Sequence, residues 1–141
     1  MDFIGVFEGV AEKFKSLDRA RPIKIVSNHD CDGIASASIL VSAFFRAGIK
    51  FSLSIVRQLN QEVLDGLKLE PYETIIFADV GSGYLSNIEK FLAGKTIFVL
   101  DHHKPEDYNP SFIVHVNPHL FNLDGTKDIS AAGVCYLFAK A

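Results

Sequence analysis

Residues 74–78 read Thr-Ile-Ile-Phe-Ala and residues 96–100 read Thr-Ile-Phe-Val-Leu. After the opening threonine each run is apolar throughout, and each is short. A strand with one wet face alternates apolar and polar side chains, whereas a strand covered on both faces does not. The two runs therefore predict buried strands of a parallel sheet. Working outward, Ile23–Asn28, Phe51–Arg57 and Phe112–Val116 also have strand character. Helix-like stretches separate them: Ile34–Ala47, Gln61–Lys68, Tyr84–Ala93 and Ile129–Ala141. In front, Phe3, Ile4, Phe7, Val10, Ala11 and Phe14 recur at helical spacing with Asp2 as the expected N-cap. Strand alternating with helix is the pattern of βαβ units. The expected class is α/β: a five-stranded, mostly parallel sheet with helices on both faces. Residues 1–18 form an N-terminal helix across it, and residues 22–141 form the α/β domain.

The chain has 141 residues, 48% of them hydrophobic, which is enough for the core of one domain and excludes disorder. Its charged share, 22%, lies below the usual value of about 25%, so some apolar surface is expected to be covered. No apolar run approaches the roughly 20 residues that cross a bilayer. MDFIGVFEGVAEKF sets charges among its apolar positions, unlike a signal peptide. Cys31 and Cys135 make no disulfide framework, and Cys31 reads as a small packing residue. A cytoplasmic protein without membrane contact is expected. The net charge of −3 gives no overall field that attracts a polyanion. The last helix-like stretch carries Val134, Tyr136, Leu137 and Phe138 and shows no stop signal, so the sequence reads as truncated or split, with an apolar face seeking cover.

In open parallel sheets ligands bind beyond the carboxyl ends of the strands. Those ends carry Asn28-His29-Asp30-Cys31-Asp32-Gly33, Asp79-Val80-Gly81-Ser82-Gly83, Asp101-His102-His103-Lys104 and Asn117-Pro118-His119. The second strand delivers only Arg57 and Gln58, which places it at the sheet margin. Read as extended chain, Asp30 and Asp32 point the same way and His29 away from them. Carboxylates held together repel unless a cation lies between them. With Asp79 and a histidine they make a set suited to Mn²⁺ or Mg²⁺ rather than zinc. Gly81-Ser82-Gly83 is either a backbone cradle for phosphate or a tight turn. Ser130 to Gly133 open the last helix with small residues, which suits either close helix packing or an approaching phosphate.

These motifs, in this order, resemble the DHH phosphoesterase family: HDCDG at 29–33, Asp79 after TIIFA, and VLDHHKP at 99–105. The stretch NPHLFNLDGTKDISAAGVCYLFAKA is similar to the archaeal branch related to the single-strand exonuclease RecJ. The resemblance implies a two-metal Mn²⁺ site with Asp30, Asp32, Asp79 and His102 as ligands and Asp79 bridging. It implies that His103 contacts the phosphate under attack and that Asp101 orients the histidines. His29, Lys104, His119, Ser130 and Gly133 are further candidates for phosphate contact. In this branch a histidine often stands where Asn28 does, and the family's fourth acidic motif and C-terminal domain lie beyond 141 residues. The implied substrate is single-stranded nucleic acid, with the missing C-terminal domain or a separate subunit as partner. The alternatives are a small-substrate enzyme acting on nanoRNA, cyclic dinucleotide or pyrophosphate, and a non-catalytic replisome scaffold that binds GINS.

Overall fold

The computed structural model describes residues 2–141. Strands β1 (Ile23–Asn28), β2 (Phe51–Val56), β3 (Thr74–Ala78), β4 (Thr96–Leu100) and β5 (Val114–Val116) form one sheet in the order β2-β1-β3-β4-β5. Every neighbouring pair is parallel, which goes beyond the mostly parallel sheet expected. Helices α1 (Val6–Lys15), α2 (Cys31–Arg46) and α5 (Ala131–Lys140) cover one face, and α3 (Gln61–Leu69) and α4 (Leu85–Phe91) the other. Alternate residues of the inner strands feed two cores. Ile25, Ile76, Phe98 and Leu100 meet α1, α2 and α5, while Val26, Ile75, Phe77 and Val99 meet α3 and α4. This double coverage is why β3 and β4 carry no inward–outward alternation. Among the described residues no helix is long and apolar enough to cross a membrane.

Several expectations need correction. Helix α2 starts at Cys31 rather than Ile34, because Asp30 caps it by accepting from the Gly33 N–H at 2.8 Å. Asp30 and Asp32 are therefore not residues of an extended run, and Cys31 is exposed at the first helical position rather than packed. Strand β5 begins at Val114 rather than Phe112, because Glu89 on α4 accepts the Ser111 and Phe112 N–H groups at 2.6 and 3.1 Å and takes them from the ladder. Helix α5 does not present Phe138 to a partner: the ring is 4% exposed, edge-on to Phe14. Phe14 also stacks on Phe44, so α1 closes this core from outside. Only Tyr136, at 54% exposure, is a large apolar residue of α5 left outside. The N-terminal helix is shorter than its apolar spacing, since Asp2 accepts from Gly5 in a turn before α1.

Candidate metal centre

Asp79 follows β3 directly and is 1% exposed. Its backbone lies in the left-handed region, with φ 58°, a conformation that Asp tolerates better than most residues. Neither side-chain oxygen has a hydrogen-bond donor. The Nε2 atom of His102 stands 3.3 Å from Oδ1, an ion-pair approach that falls outside hydrogen-bond geometry. The same Nε2 is 3.3 Å from Asp32 Oδ2. Burial pushes the Asp79 carboxyl above the ordinary range; His102 opposes this, and Asp30 and Asp32 add to it. In turn the Asp79 carboxylate lifts the His102 imidazole to about 9.

Each surrounding side chain is fixed by its own element. His102 Nδ1 lies 2.6 Å from the Gly125 carbonyl, which can only accept, so Nδ1 carries the proton and Nε2 faces the carboxylates. Gly125 has to be glycine: a Cβ there would stand 1.9 Å from the His102 carbonyl oxygen. Asp32, one residue into α2, turns toward the start of α5 and accepts the Ala131 and Ala132 N–H groups at 2.9 and 2.8 Å. Asp30 also takes Asn28 Nδ2 at 3.2 Å, and the Gly33 N–H is the main reason its carboxyl lies below the ordinary range. Gly33 lets α2 start against β1, since a Cβ would meet the Asn28 carbonyl oxygen at 2.1 Å. Asp101, buried at the end of β4, accepts from His103 Nδ1 at 2.8 Å and from the His102 and Ser82 N–H groups. Burial works to raise its carboxyl, but His103 and the Ser82 N–H outweigh it and hold it below the ordinary range. Asp101 correspondingly raises the His103 imidazole.

Single ligand atoms of Asp79, His102 and His103 lie within 4.8 Å of one another. A buried carboxylate with two donorless oxygens, facing an imidazole nitrogen and flanked by two more carboxylates, is a costly arrangement unless a cation completes it. The residues fit a divalent ion. Asp79 and His102 would hold it, with Asp30 and Asp32 beside them, while His103 keeps Nδ1 on Asp101.

A model of the DHH family, N-terminal domain, matches residues 22–141. The chain belongs to the DHH family. This DHH domain is 37% identical over 136 residues to an uncharacterised protein of Methanocaldococcus jannaschii, covering 92% of the chain and 31% of that protein. It thus spans about a third of the length of that relative. Its fold is that of RecJ from Thermus thermophilus, crystallised with Mn²⁺ (TM-score 0.74, 22% identity, 97% of this chain and 20% of that one). A second structure, exonuclease RecJ bound to manganese, matches with TM-score 0.74 at 22% identity, over 99% of this chain and 37% of that one. CDC45 from Entamoeba histolytica shares the fold at TM-score 0.65 and 18% identity, over 98% of this chain and 29% of that one.

The other candidate phosphate contacts of the DHH domain divide. Lys104 is exposed and has no ion-pair or hydrogen-bond partner among the described residues. His29 is exposed where the backbone turns into α2, its N–H donating to Asn28 Oδ1 at 2.9 Å, so it does not follow strand alternation. His119 is half-buried on a short 3-10 helix, Pro118–Phe121. Ser130 and Gly133 are committed to each other: the Gly133 N–H donates to Ser130 Oγ at 3.1 Å, and Asp32 takes the two N–H groups between them. The donors opening α5 therefore hold this chain's own oxygens. Gly81-Ser82-Gly83 is the tight turn of the two alternatives, since Gly81 has φ 120° and the Ser82 N–H already serves Asp101. Sequence reasoning placed Asn117 at the ligand edge but gave it no role, and passed over Gly125, which stands in the loop that follows.

Proposed function

We propose that this DHH domain is the catalytic half of a metal-dependent phosphodiesterase that degrades single-stranded nucleic acid, as the name exonuclease describes RecJ. One observation carries the reading: Asp79 is buried at the centre of the polar edge with both oxygens lacking donors. Membership of the DHH family and the manganese in the RecJ structures of the same fold support a divalent ion there. When bound, such ions supply acidified water and positive charge against the phosphate oxygens. The chain's residues supply the rest. Asp101 keeps the His103 proton on Nδ1 and aims the half-exposed ring outward, where it reaches a phosphate oxygen as negative charge develops. Gly125 fixes the His102 tautomer that leaves Nε2 free to ligate. Lys104 adds an exposed cation beside this group.

The test is hydrolysis by the full-length protein with Mn²⁺ or Mg²⁺, comparing single-stranded DNA and RNA with short substrates. Mononucleotides released from single strands support the reading. Turnover of nanoRNA, cyclic dinucleotide or pyrophosphate alone would replace it with the small-substrate activity that the net charge of −3 favours. Bound Mn²⁺ without any hydrolysis would leave a metal-holding scaffold, with GINS as the partner to assay.

A further inference from the structure

We propose that Asn117 is a positioning residue for His103, holding the 101–103 segment through both hydrogens of its side-chain amide. The orientation of that amide is fixed by its partners. Oδ1 accepts the His119 N–H at 2.9 Å, which caps the 3-10 helix, so Nδ2 lies on the opposite side. From there it donates to the His103 carbonyl oxygen at 2.8 Å and to Ser82 Oγ at 2.8 Å. Since Ser82 Oγ receives a hydrogen from Asn117, its own hydrogen is free to go to His115 Nε2, 2.8 Å away. The Ser82 N–H meanwhile donates to Asp101 Oδ2 at 2.9 Å. One buried amide thus joins the ends of β3, β4 and β5, and grips His103 from its main chain while Asp101 grips it from the ring. Asn117 and Ser82 are fully buried, so water does not replace these bonds.

Two orientation points matter for a ring that must meet a phosphate. Asp101 holds the His103 ring nitrogen at 2.8 Å and, more loosely, its main-chain N–H at 3.3 Å, and leaves the carbonyl side of the residue free to move with the exposed segment that follows. The second grip, on the His103 carbonyl, removes that freedom. A misplacement of about 1 Å in such a group costs up to about 10²-fold in rate. The role toward phosphate rests on the phosphodiesterase reading, whereas the hydrogen-bond chain does not.

Asn117→Asp and Asn117→Ser separate this role from simple capping. Both replacements are good N-caps that still accept the His119 N–H, and neither offers the two amide hydrogens. In the metal-free full-length protein, the His103 ring should give one sharp set of NMR resonances in the wild type and exchange-broadened or doubled ones in both variants, because Asp101 keeps the Nδ1 proton but no longer holds the ring in one position. With Mn²⁺, kcat on single strands should fall at least about tenfold, with KM nearly unchanged. A wild-type His103 spectrum retained in both variants would overturn the proposal, whatever their activity. If both variants fail to fold, the wild type decides: both Asn117 amide hydrogens should exchange slowly with solvent, and fast exchange of either would overturn it. A wild type with the expected amide protection but no turnover would sink the phosphodiesterase reading and leave the clamp standing.

Discussion

At the scale of single residues, Asp79 serves a bound ion at the expense of the metal-free protein. Its carboxylate is desolvated, lacks donors and faces Asp30 and Asp32, so only the nearby His102 offsets the charge. Asn has nearly the same shape, tolerates the left-handed backbone at φ 58° and carries no charge. Asp79→Asn is therefore expected to shift stability in opposite directions. Without metal it should stabilise the fold by about 1 kcal/mol, by removing an unsatisfied buried charge. With Mn²⁺ the wild type should gain about 2.7 kcal/mol at a hundred times its dissociation constant, and the variant almost none. Urea unfolding of both proteins, with chelator and with Mn²⁺, checks this. A variant less stable than the wild type in chelator would show that His102 alone satisfies Asp79.

At the scale of elements, the polar edge is also part of the scaffold. Asp32 belongs to α2 yet accepts the first two N–H groups of α5, about 100 positions away in sequence. Asp32→Ala should therefore cost about 1–2 kcal/mol in chelator, the range for losing a helix cap, a loss separate from any effect on metal. An unchanged urea midpoint would mean that Ser130 alone caps α5. This contact also marks what the sequence could not show. Strands β3 and β4, the helix order and the gathering of four loops at one edge were legible, because burial on both faces and βαβ alternation leave strong local patterns. The start of α2 was not, because Asp30-Cys31-Asp32-Gly33 holds a small residue and a glycine where a helical stripe would begin, and only the Asp30 cap betrays it. The start of β5 was hidden for another reason: Glu89, more than twenty residues earlier, takes the N–H groups of Ser111 and Phe112 just before it. The His115 position on β5 carries a pH effect of its own. Burial lowers its imidazole to about 4, so the unfolded chain, near 6.5, binds more protons between those values. Stability should fall as pH drops from about 6.5 toward 4, by at most about 3 kcal/mol. His115→Gln, which still accepts from Ser82 but does not titrate, should flatten that limb of the urea-midpoint curve. Parallel curves for the two proteins would place the titration elsewhere.

At the scale of the whole molecule, the edge that fits a phosphodiester is poorly equipped to hold a polymer. Fourteen Lys and Arg stand against 17 Asp and Glu. Of the cations at the ligand edge, Lys127 lies 3.6 Å from Asp124, which leaves Lys104 and Arg57 free of ion pairs among the described residues. Affinity for single strands rests chiefly on phosphates neutralised by Lys and Arg, and falls steeply with salt when those contacts are few. Residues 1–141 alone should therefore bind a single-stranded oligonucleotide more weakly than about 10⁻⁴ M at physiological salt, the weak end of non-specific binding. A C-terminal partner domain or subunit added in trans should tighten this binding if it supplies the basic groove. Fluorescence anisotropy of a labelled oligonucleotide, titrated with residues 1–141 with and without that partner over a range of salt, measures both. Micromolar binding by residues 1–141 that survives physiological salt would mean that the metal centre and its few cations hold the strand without help.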